Sequence, residues 1–377
     1  ATSRLLKIVL TQDEFQLALE QLELDFKMIK KDERYYLKAL YDAEVNIVRR
    51  ITLLHKEEEI VQDKIEEKIT ELEQFFQISY NQDQKKAIKS GYTKPFTVIT
   101  GGPGSGKTTI IKGITELYRI FHKLNYDGVQ EEIALLAPTG RASKRMSEAT
   151  KLQAQTIHRF LKWNKETNKF AVNERNKSDV KLVIVDEVSM VDTLLFDHLL
   201  KGLSYKTKLV LVGDDHQLPS VGPGQVLRDL IESETVNVCY LKELYRQSED
   251  SHILSLAYHI QEQTIDPNDF NVADDLTFVR CSDSQIKEKL MDICLAYSDM
   301  DEKNFQVLAP MYKTQNGIDE LNRYLQEIFN PKNENKKEIM VGDVLFRECD
   351  KVIQLTNMPD ENVYNGDIGT IVKIENG

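Results

Sequence analysis

The chain has 377 residues, enough for two or three domains with a sizeable core each. Hydrophobic residues make up 41% of it and charged residues 29%, and no stretch reaches eighteen uninterrupted apolar residues, so a membrane-spanning helix is excluded. The four cysteines (Cys239, Cys281, Cys294 and Cys349) form no CxxC pair and have no histidine at metal-ligand spacing. This argues against structural zinc and predicts a reduced, cytoplasmic protein.

The net charge of −12 conceals a basic central segment. Residues 107–177 contain fourteen basic and seven acidic residues, a net charge of +7, whereas the first eighty residues carry a net charge of −5. Phosphate groups respond to the local field more than to the total charge, so the acidic total does not exclude a nucleic acid as partner. A solvated basic face without a ligand is the alternative.

Residues 1–76 are predicted to form a helical, winged-helix-like module. Helical apolar spacing over 11–76 is interrupted at 28–37 by two short strands around a Lys-Lys-Asp-Glu turn. The charged stretch 57–73 has the composition of a solvated helical linker. An acidic helical module can bind a protein partner or a duplex, and both possibilities stay open.

Residues 77–250 alternate between apolar strand patterns and helical patterns. Alternation of this kind predicts an α/β fold with a doubly wound parallel sheet, whose ligand-binding loops lie at the carboxyl ends of its strands. The predicted strands are Phe96–Thr100, Ile133–Ala137, 182–186, 209–213 and 238–241. A β-hairpin is predicted at 159–173, where two short strand patterns flank a turn-rich connection.

The remaining residues indicate a second, partial α/β domain over 251–340, with a strand at 305–310 and a helix at Ile318–Phe329. Residues 341–377 are rich in β-formers and carry turn chemistry at Asn365-Gly366-Asp367. We expect this tail to begin a small barrel-like insertion.

Residues 101–109 read Gly-Gly-Pro-Gly-Ser-Gly-Lys-Thr-Thr, the G-x-x-x-x-G-K-[ST] phosphate loop, directly after a β-branched strand. Glycines let backbone N–H groups turn toward one point, and a helix that begins near Thr108 adds the positive end of its dipole. Lys107 is expected to reach the outer phosphates and the Thr108 hydroxyl to ligate Mg²⁺. The residues predicted to bind a nucleoside triphosphate are Gly102, Pro103, Gly104, Ser105, Gly106, Lys107, Thr108 and Thr109.

Two carboxylates, Asp186 and Glu187, end a later apolar strand. At the carboxyl edge of a parallel sheet, Asp186 is expected to hold Mg²⁺ through its water shell, and Glu187 to orient and deprotonate the attacking water. Gln217 follows a further strand and is expected to reach the γ-phosphate. The alternative for the acidic pair is a turn that caps the next helix.

Further segments occur in order along the chain, at 137–144, 156–158, 186–190, 213–219 and 244–247. Together with the phosphate loop they resemble the motif set of the superfamily 1 DNA helicases. Segments 214–224 and 307–312 are most similar to the RecD-like group (RecD/TraA type), which moves 5′ to 3′ on single strands. The resemblance implies a P-loop, RecA-like fold and an ATP-dependent DNA helicase core that translocates on single-stranded DNA and unwinds duplex junctions.

The resemblance also implies roles for residues around the nucleotide. Gln84 resembles the glutamine that reads adenine, with a surface-helix glutamine as the alternative. Tyr245 resembles an aromatic residue that packs on the base. Arg246 resembles the arginine that meets the γ-phosphate and stabilises the charge of the transition state, with an ordinary surface ion pair as the alternative.

Single-stranded DNA is expected to be held through its phosphates, without reading of the sequence. The residues that the resemblance implies for this contact are Pro138, Thr139, Gly140, Arg141, Thr156 and His158. A buried core histidine is the alternative for His158. The hairpin 159–173 corresponds to the pin that splits the duplex, with Trp163 and Phe170 facing the terminal base pair, unless these aromatic rings only cover their own strands.

Two late segments of the family, similar to Thr-x-His-Lys-Ser-Gln-Gly and Tyr-Thr-Ala-Ile-Thr-Arg-Ala, do not occur in this sequence. We therefore expect a chain truncated before the last motor motifs, which binds ATP and single-stranded DNA but unwinds poorly. Two other functions stay open: a P-loop kinase or other NTPase with another substrate, and a nucleotide-gated module that recruits partners.

Overall fold

The computed structural model describes residues 11–54, 64–242, 251–297, 305–356, 358, 361, 363 and 366–375. The chain divides into two compact units, Ala1–Arg246 and Gln247–Gly377. The predicted site residues Tyr245 and Arg246, and Asn365 of the predicted turn, lie outside the described residues. Among the described residues, no helix is both long enough and apolar enough to cross a membrane.

The first unit begins with helices and a two-stranded hairpin, as the sequence predicts. These elements are α1 (Gln12–Leu24), β1 (Met28–Lys31), β2 (Arg34–Leu37), α2 (Lys38–Leu54) and α3 (Ile65–Phe76). Asp32 and Glu33 connect the strands with φ of 50° and 58°, the left-handed geometry that joins antiparallel strands in two residues. Thr11 starts α1 because its hydroxyl accepts the N–H of Glu14.

A six-stranded sheet forms the centre of this unit, and every pair of neighbouring strands in it is parallel. Its strands are β3 (Phe96–Thr100), β4 (Ile133–Ala137), β5 (Ala154–Thr156), β8 (Leu182–Val185), β9 (Lys208–Gly213) and β10 (Val238–Tyr240). The spatial order is β10-β3-β9-β8-β4-β5, which requires crossover connections between strands. The doubly wound parallel sheet is therefore confirmed, and β5 is a strand that the prediction missed.

Helices cover both faces of the sheet, since alternate residues of each strand point to opposite sides. Val98 and Val183 belong to one hydrophobic cluster, whereas Ile99 and Ile184 belong to the other. The helices that follow α3 in this unit are α4 (Gln82–Thr93), α5 (Lys107–His122), α6 (Tyr126–Glu132), α7 (Gly140–Thr150), α8 (Ile157–Phe160), α9 (Thr193–Gly202) and α10 (Val226–Glu232). The two hydrophobic clusters, one on each face, hold the sheet between the helices and so fix the positions of the loops at the ends of its strands.

The predicted hairpin projects from the sheet between β5 and β8. It consists of β6 (Trp163–Asn164) and β7 (Lys169–Phe170), with Trp163 paired to Phe170. Both strands are shorter than the predicted 159–163 and 169–173. The first begins only at Trp163 because Thr156 accepts the N–H of Arg159 at 3.2 Å and so begins the short helix α8. The hairpin itself is confirmed.

The second unit contains three α-helices and two pairs of antiparallel strands among its described residues. These elements are α11 (His252–Gln261), α12 (Ile286–Ala296), α13 (Ile318–Phe329), β11 (Glu338–Val341) with β12 (Val344–Arg347), and β13 (Lys351–Ile353) with β14 (Ile368–Thr370). Helix α13 has the predicted bounds. The strand predicted at 305–310 is wrong, because a parallel strand needs a neighbour and the described part of this unit has no parallel pairing.

A buried arginine connects α13 to the strands that follow it. Arg347 is 1% exposed; its guanidinium donates to Glu338 at 2.7 Å and to Glu327 at 2.9 Å, and also to the carbonyl of Asn330. Burying a guanidinium is favourable only when its donors find acceptors. The β-rich body therefore includes α13 and begins before Val341, where the sequence predicted its start.

Candidate functional site

Five of the predicted functional segments lie at or directly after the carboxyl ends of parallel strands, at one edge of the sheet. They are the loop 101–106 after β3, Asp186 after β8, Asp214 after β9, Thr139 after β4 and Thr156 at the end of β5. Strand β9 alone separates β3 from β8, whereas three strand spacings, about 14 Å, separate β3 from β4. The predicted nucleotide residues thus lie toward one end of the edge and the predicted DNA residues toward the other.

The phosphate loop has the backbone that its glycines allow. Gly104 and Gly106 have φ of 75° and 84°, in the left-handed region, and α5 begins at Lys107. The Lys107 ammonium donates to the carbonyls of Gly101 at 2.6 Å and Gly102 at 2.9 Å. The amino group therefore lies against the loop, beside the helix N-terminus that would attract phosphate. Thr108 and Thr109 lie in the first turn of α5.

Gln84 contacts the phosphate loop from within the protein. Its side chain is fully buried: the amide oxygen accepts the N–H of Asn81 at 3.1 Å, and the amide nitrogen donates to the carbonyl of Ser105 at 3.0 Å. The alternative of a surface glutamine is therefore wrong. Adenine reading by Gln84 stays a prediction.

Asp186 is placed by β8 and by the hydrogen bond from its N–H to the carbonyl of Leu136 at 2.9 Å. Burial raises the pKa of its carboxyl to about 6, although the backbone N–H of Glu187, which donates to Oδ1 at 2.9 Å, and the charge of Lys107 oppose this rise. A cation at this carboxylate would favour the charged form. The Asp186 carboxylate and the Thr108 hydroxyl offer hard oxygen ligands, which suit Mg²⁺.

Glu187 has a strained backbone, with φ of 54° at a residue that has a Cβ. A single residue held in this region costs of order 1–3 kcal/mol, and such strain clusters at functional sites. The turn Val188–Met190 follows immediately, and the N–H of Met190 donates to the Glu187 carbonyl at 3.1 Å. The fold thus holds Glu187, the predicted catalytic base, in a left-handed backbone conformation that glutamate residues rarely adopt.

The loop after β9 is joined to both sides of the predicted nucleotide site. The Thr100 hydroxyl, at the end of β3, donates to Asp215 at 2.5 Å. The Ser189 hydroxyl, two residues after Glu187, donates to Gln217 at 3.3 Å. The sequence prediction gave Thr100, Ser189 and Asp215 no role of their own, although Ser189 and Asp215 lie in the segments 186–190 and 213–219 that resemble helicase motifs. Thr100 gives no signal beyond a polar side chain at the end of an apolar strand.

The predicted DNA residues lie at the ends of two paired strands, since Ala137 of β4 is the partner of Thr156 in β5. Thr139 begins α7, where its hydroxyl accepts the N–H of Ala142 at 3.2 Å, and Pro138 and Gly140 flank it. Arg141 is exposed in the first turn of the same helix. A helix N-terminus with an exposed arginine suits a phosphate group.

The aromatic residues of the hairpin pack on one another and on α9. The ring of Phe170 lies 4.6 Å from that of Trp163, 5.8 Å from that of His158 and 4.9 Å from that of His198, measured between centroids. His158 is exposed, so the alternative of a buried core histidine is wrong. Both Trp163 and Phe170 are half-buried, and Phe170 also packs against the hydrophobic cluster on that side of the sheet.

Comparison with known proteins identifies the family. The sequence profile of the AAA domain matches residues 84–223, and that of the ATP-dependent RecD-like DNA helicase SH3 domain matches residues 321–377. The chain belongs to the RecD-like superfamily 1 helicases. The first match contains the phosphate loop and the acidic pair, and the second contains most of α13 and the four strands after it.

Three relatives illustrate the similarity. The ATP-dependent RecD2 DNA helicase of Deinococcus radiodurans is 32% identical over 281 residues, which cover 74% of this RecD-like chain and 36% of that protein. The RecBCD enzyme subunit RecD of Buchnera aphidicola is 28% identical over 420 residues, covering 93% and 68%. That of Mycolicibacterium smegmatis is 35% identical over 195 residues, covering 47% and 35%. The chain thus spans little more than a third of the Deinococcus relative.

Proposed function

We propose that this chain is the ATP-dependent core of a DNA helicase, in which hydrolysis of ATP drives translocation on single-stranded DNA and unwinding at duplex junctions. The observation that carries the proposal is the single sheet edge, which holds the loop of Lys107, the acids Asp186 and Glu187, and the paired-strand threonines Thr139 and Thr156. The names of the relatives, ATP-dependent DNA helicase and RecBCD subunit, support the same reaction.

Each residue of the proposed nucleotide site has a chemical task. Lys107 and the N-terminus of α5 offset phosphate charge, while Thr108 and Asp186 would bind Mg²⁺, which stabilises charge on the transferred phosphoryl group when bound. Glu187 accepts the proton of the attacking water. Gln217 responds to the γ-phosphate, and Tyr245 and Arg246 contribute base packing and positive charge from outside the described residues.

The proposed DNA path uses contacts that do not depend on sequence. Thr139, Arg141 and the backbone around them would bind phosphates, and Thr156 and His158 would continue the path from the neighbouring strand. The net charge of +7 over residues 107–177 supports this assignment, because phosphate contacts supply most non-specific affinity. Trp163 is the proposed contact with the terminal base pair.

We infer that these 377 residues alone bind ATP and single-stranded DNA but unwind duplex DNA poorly. We also propose that the protein is cytoplasmic and that residues 1–76 bind a protein partner. A stepping motor needs two lobes that close on ATP and open after hydrolysis. The described residues of the second unit form no parallel sheet, which supports this inference. Full-rate, ATP-dependent strand displacement by the isolated chain would contradict it.

Steady-state ATPase measured with and without oligo-dT tests the proposal. Strong stimulation by the oligonucleotide is the expected result, because a motor couples turnover to the strand it moves on. A turnover rate indifferent to DNA would favour a kinase or another NTPase. Tight nucleotide binding without turnover would favour the recruitment module. Lys107→Ala is the control that shows whether the measured turnover belongs to this site.

A further inference from the structure

The side-chain amide of Gln84 is buried, and both its oxygen and its nitrogen are hydrogen-bonded within the protein. Its oxygen accepts from Asn81 and its nitrogen donates to the carbonyl of Ser105, and the exposures of Gln84 and Ser105 are 0% and 1%. A buried carbonyl that loses its donor pays the cost of its desolvation without compensation. The bond between Gln84 and the phosphate loop is therefore one that the loop depends on.

The loop is shaped to admit this contact at close range. A Cβ on Gly106 would lie 2.4 Å from the amide nitrogen of Gln84, a separation that no side chain tolerates against a fixed neighbour. Gly106 also has φ of 84°, which lets the chain turn directly from the contact with Gln84 into α5. The backbone of Gly106 and the side-chain amide of Gln84 thus fit each other where the phosphate loop ends and α5 begins.

The helix that carries Gln84 is firmly held. Asn81 and Gln84 form a reciprocal capping box at the start of α4. Farther along, α4 and α5 approach closely through two glycines: a Cβ on Gly91 would lie 2.5 Å from Ile114, and one on Gly113 would lie 2.7 Å from Ile88. Helix α4 thus packs closely on α5, the helix that follows the phosphate loop. This packing fixes the position of Gln84 relative to the loop.

We propose that Gln84 is a positioning residue for the phosphate loop: it holds the Ser105 carbonyl and thereby sets the backbone that receives the triphosphate, whatever base the nucleotide carries. The proposal rests on the proposed function in that the loop must bind a triphosphate. It differs from adenine reading, in which Gln84 acts on the base and leaves the loop unchanged. The two roles predict different ligand dependence for the same substitution.

The test compares Gln84→Met, which keeps the length of the side chain and removes both hydrogen bonds, with Gln82→Ala at an exposed position of the same helix. Affinities of both variants and the wild type are measured by calorimetry for Mg·ATP, Mg·GTP and magnesium tripolyphosphate, which has no base. A positioning role predicts that Gln84→Met weakens all three by the same factor, about three- to tenfold for one net hydrogen bond, and that Gln82→Ala weakens none.

Loss of ATP affinity alone, with tripolyphosphate affinity unchanged, would overturn the proposal in favour of base reading. Failure of the wild type to bind any of the three would overturn the proposed function itself, which is a distinct result. Amide hydrogen exchange at 102–106 without ligand adds a second readout: the proposal predicts faster exchange in Gln84→Met, and unchanged exchange contradicts it. Should Gln84→Met fail to fold, Gln84→Glu, which keeps the acceptor for Asn81 and loses the donor to Ser105, replaces it in both measurements.

Discussion

The hydroxyl of Ser189 donates to the amide oxygen of Gln217 over 3.3 Å, and so joins the turn after Glu187 to the loop after β9. Gln217 is exposed four residues after the end of β9, and among the described residues no other hydrogen bond holds its side-chain amide. The amide nitrogen of Gln217 remains available to an acceptor when its oxygen is bound in this way. If a phosphate group displaced Gln217, the effect would therefore pass through Ser189 to the turn that follows Glu187, the proposed base.

Ser189→Ala is expected to lower ATP turnover a few-fold with little change in KM for ATP, because it frees Gln217 without touching the phosphate loop. The decisive measurement is a double-mutant cycle with Gln217→Ala. If Ser189 acts through Gln217, the double variant turns over no more slowly than Gln217→Ala alone. Additive losses would show that Ser189 has a separate role.

Lys107→Ala is expected to lower affinity for Mg·ATP by more than about tenfold, since a hydrogen bond to a charged group contributes about 1.5–3 kcal/mol. Calorimetry measures the change directly. Lys123→Ala, at the exposed residue directly after the C-terminal end of the same helix, is the matched control and should leave the affinity unchanged. Equal affinity in Lys107→Ala and the wild type would mean that the nucleotide binds elsewhere.

Glu187→Gln is expected to keep nucleotide binding and to reduce turnover by about 10²–10⁴, the usual contribution of a general base. The amide has nearly the shape of the carboxylate but accepts no proton from water. Binding by calorimetry and single-turnover hydrolysis separate the two effects. Normal hydrolysis by the variant would remove Glu187 from the mechanism.

The raised pKa of Asp186 predicts a pH dependence of stability without nucleotide. Its folded-state pKa of about 6 lies above the ordinary value of 3.8, so the charged carboxylate costs stability above pH 6 and this cost disappears as the pH falls below 3.8. Asp186→Asn should therefore raise the thermal unfolding temperature at pH 7–8. The difference from the wild type should shrink steadily toward pH 4, and a difference that does not change with pH would contradict the assignment.

The same pKa predicts proton release when Mg·ATP binds. At pH 6 about half of the Asp186 carboxyls are protonated, and a cation nearby favours the charged form. Calorimetry in buffers with different heats of ionisation should detect this release near pH 6 and find little at pH 8. Asp186→Asn should abolish the Asp186 contribution, and unchanged release would place the proton elsewhere.

Some elements follow from the sequence because one local signal determines them. Phe96–Thr100 and Ile133–Ala137 are continuous apolar runs, buried on both faces, and their bounds match the prediction. Strand β5 has only Ala154, Gln155 and Thr156 and no apolar run, so its pairing with β4 left no signal. The apolar residues at 305–310 gave a strand pattern, but a pattern does not supply the neighbour that a strand requires.

The candidate site was predictable in its residue types and not in its internal contacts. The phosphate loop and the acidic pair carry dense local patterns, so Lys107 and Asp186 could be proposed as site residues from the sequence. The contact between Gln84 and Ser105 joins residues 21 positions apart and depends on how α4 packs on α5. The sequence pattern around Gln84 or around Ser105 does not predict how α4 packs on α5.

The strand order has a consequence for how the proposed motor would transmit force. Hydrogen bonding fixes the lateral spacing of β3, β9, β8 and β4, so the sheet is too stiff to shorten or lengthen between its ends. In the proposed function, hydrolysis at one end could therefore not pull a polynucleotide at the other by compressing the strands between them. Motion would be relayed along the carboxyl edge of the sheet, through the turn of Glu187 and the neighbouring connections, while the sheet keeps its dimensions.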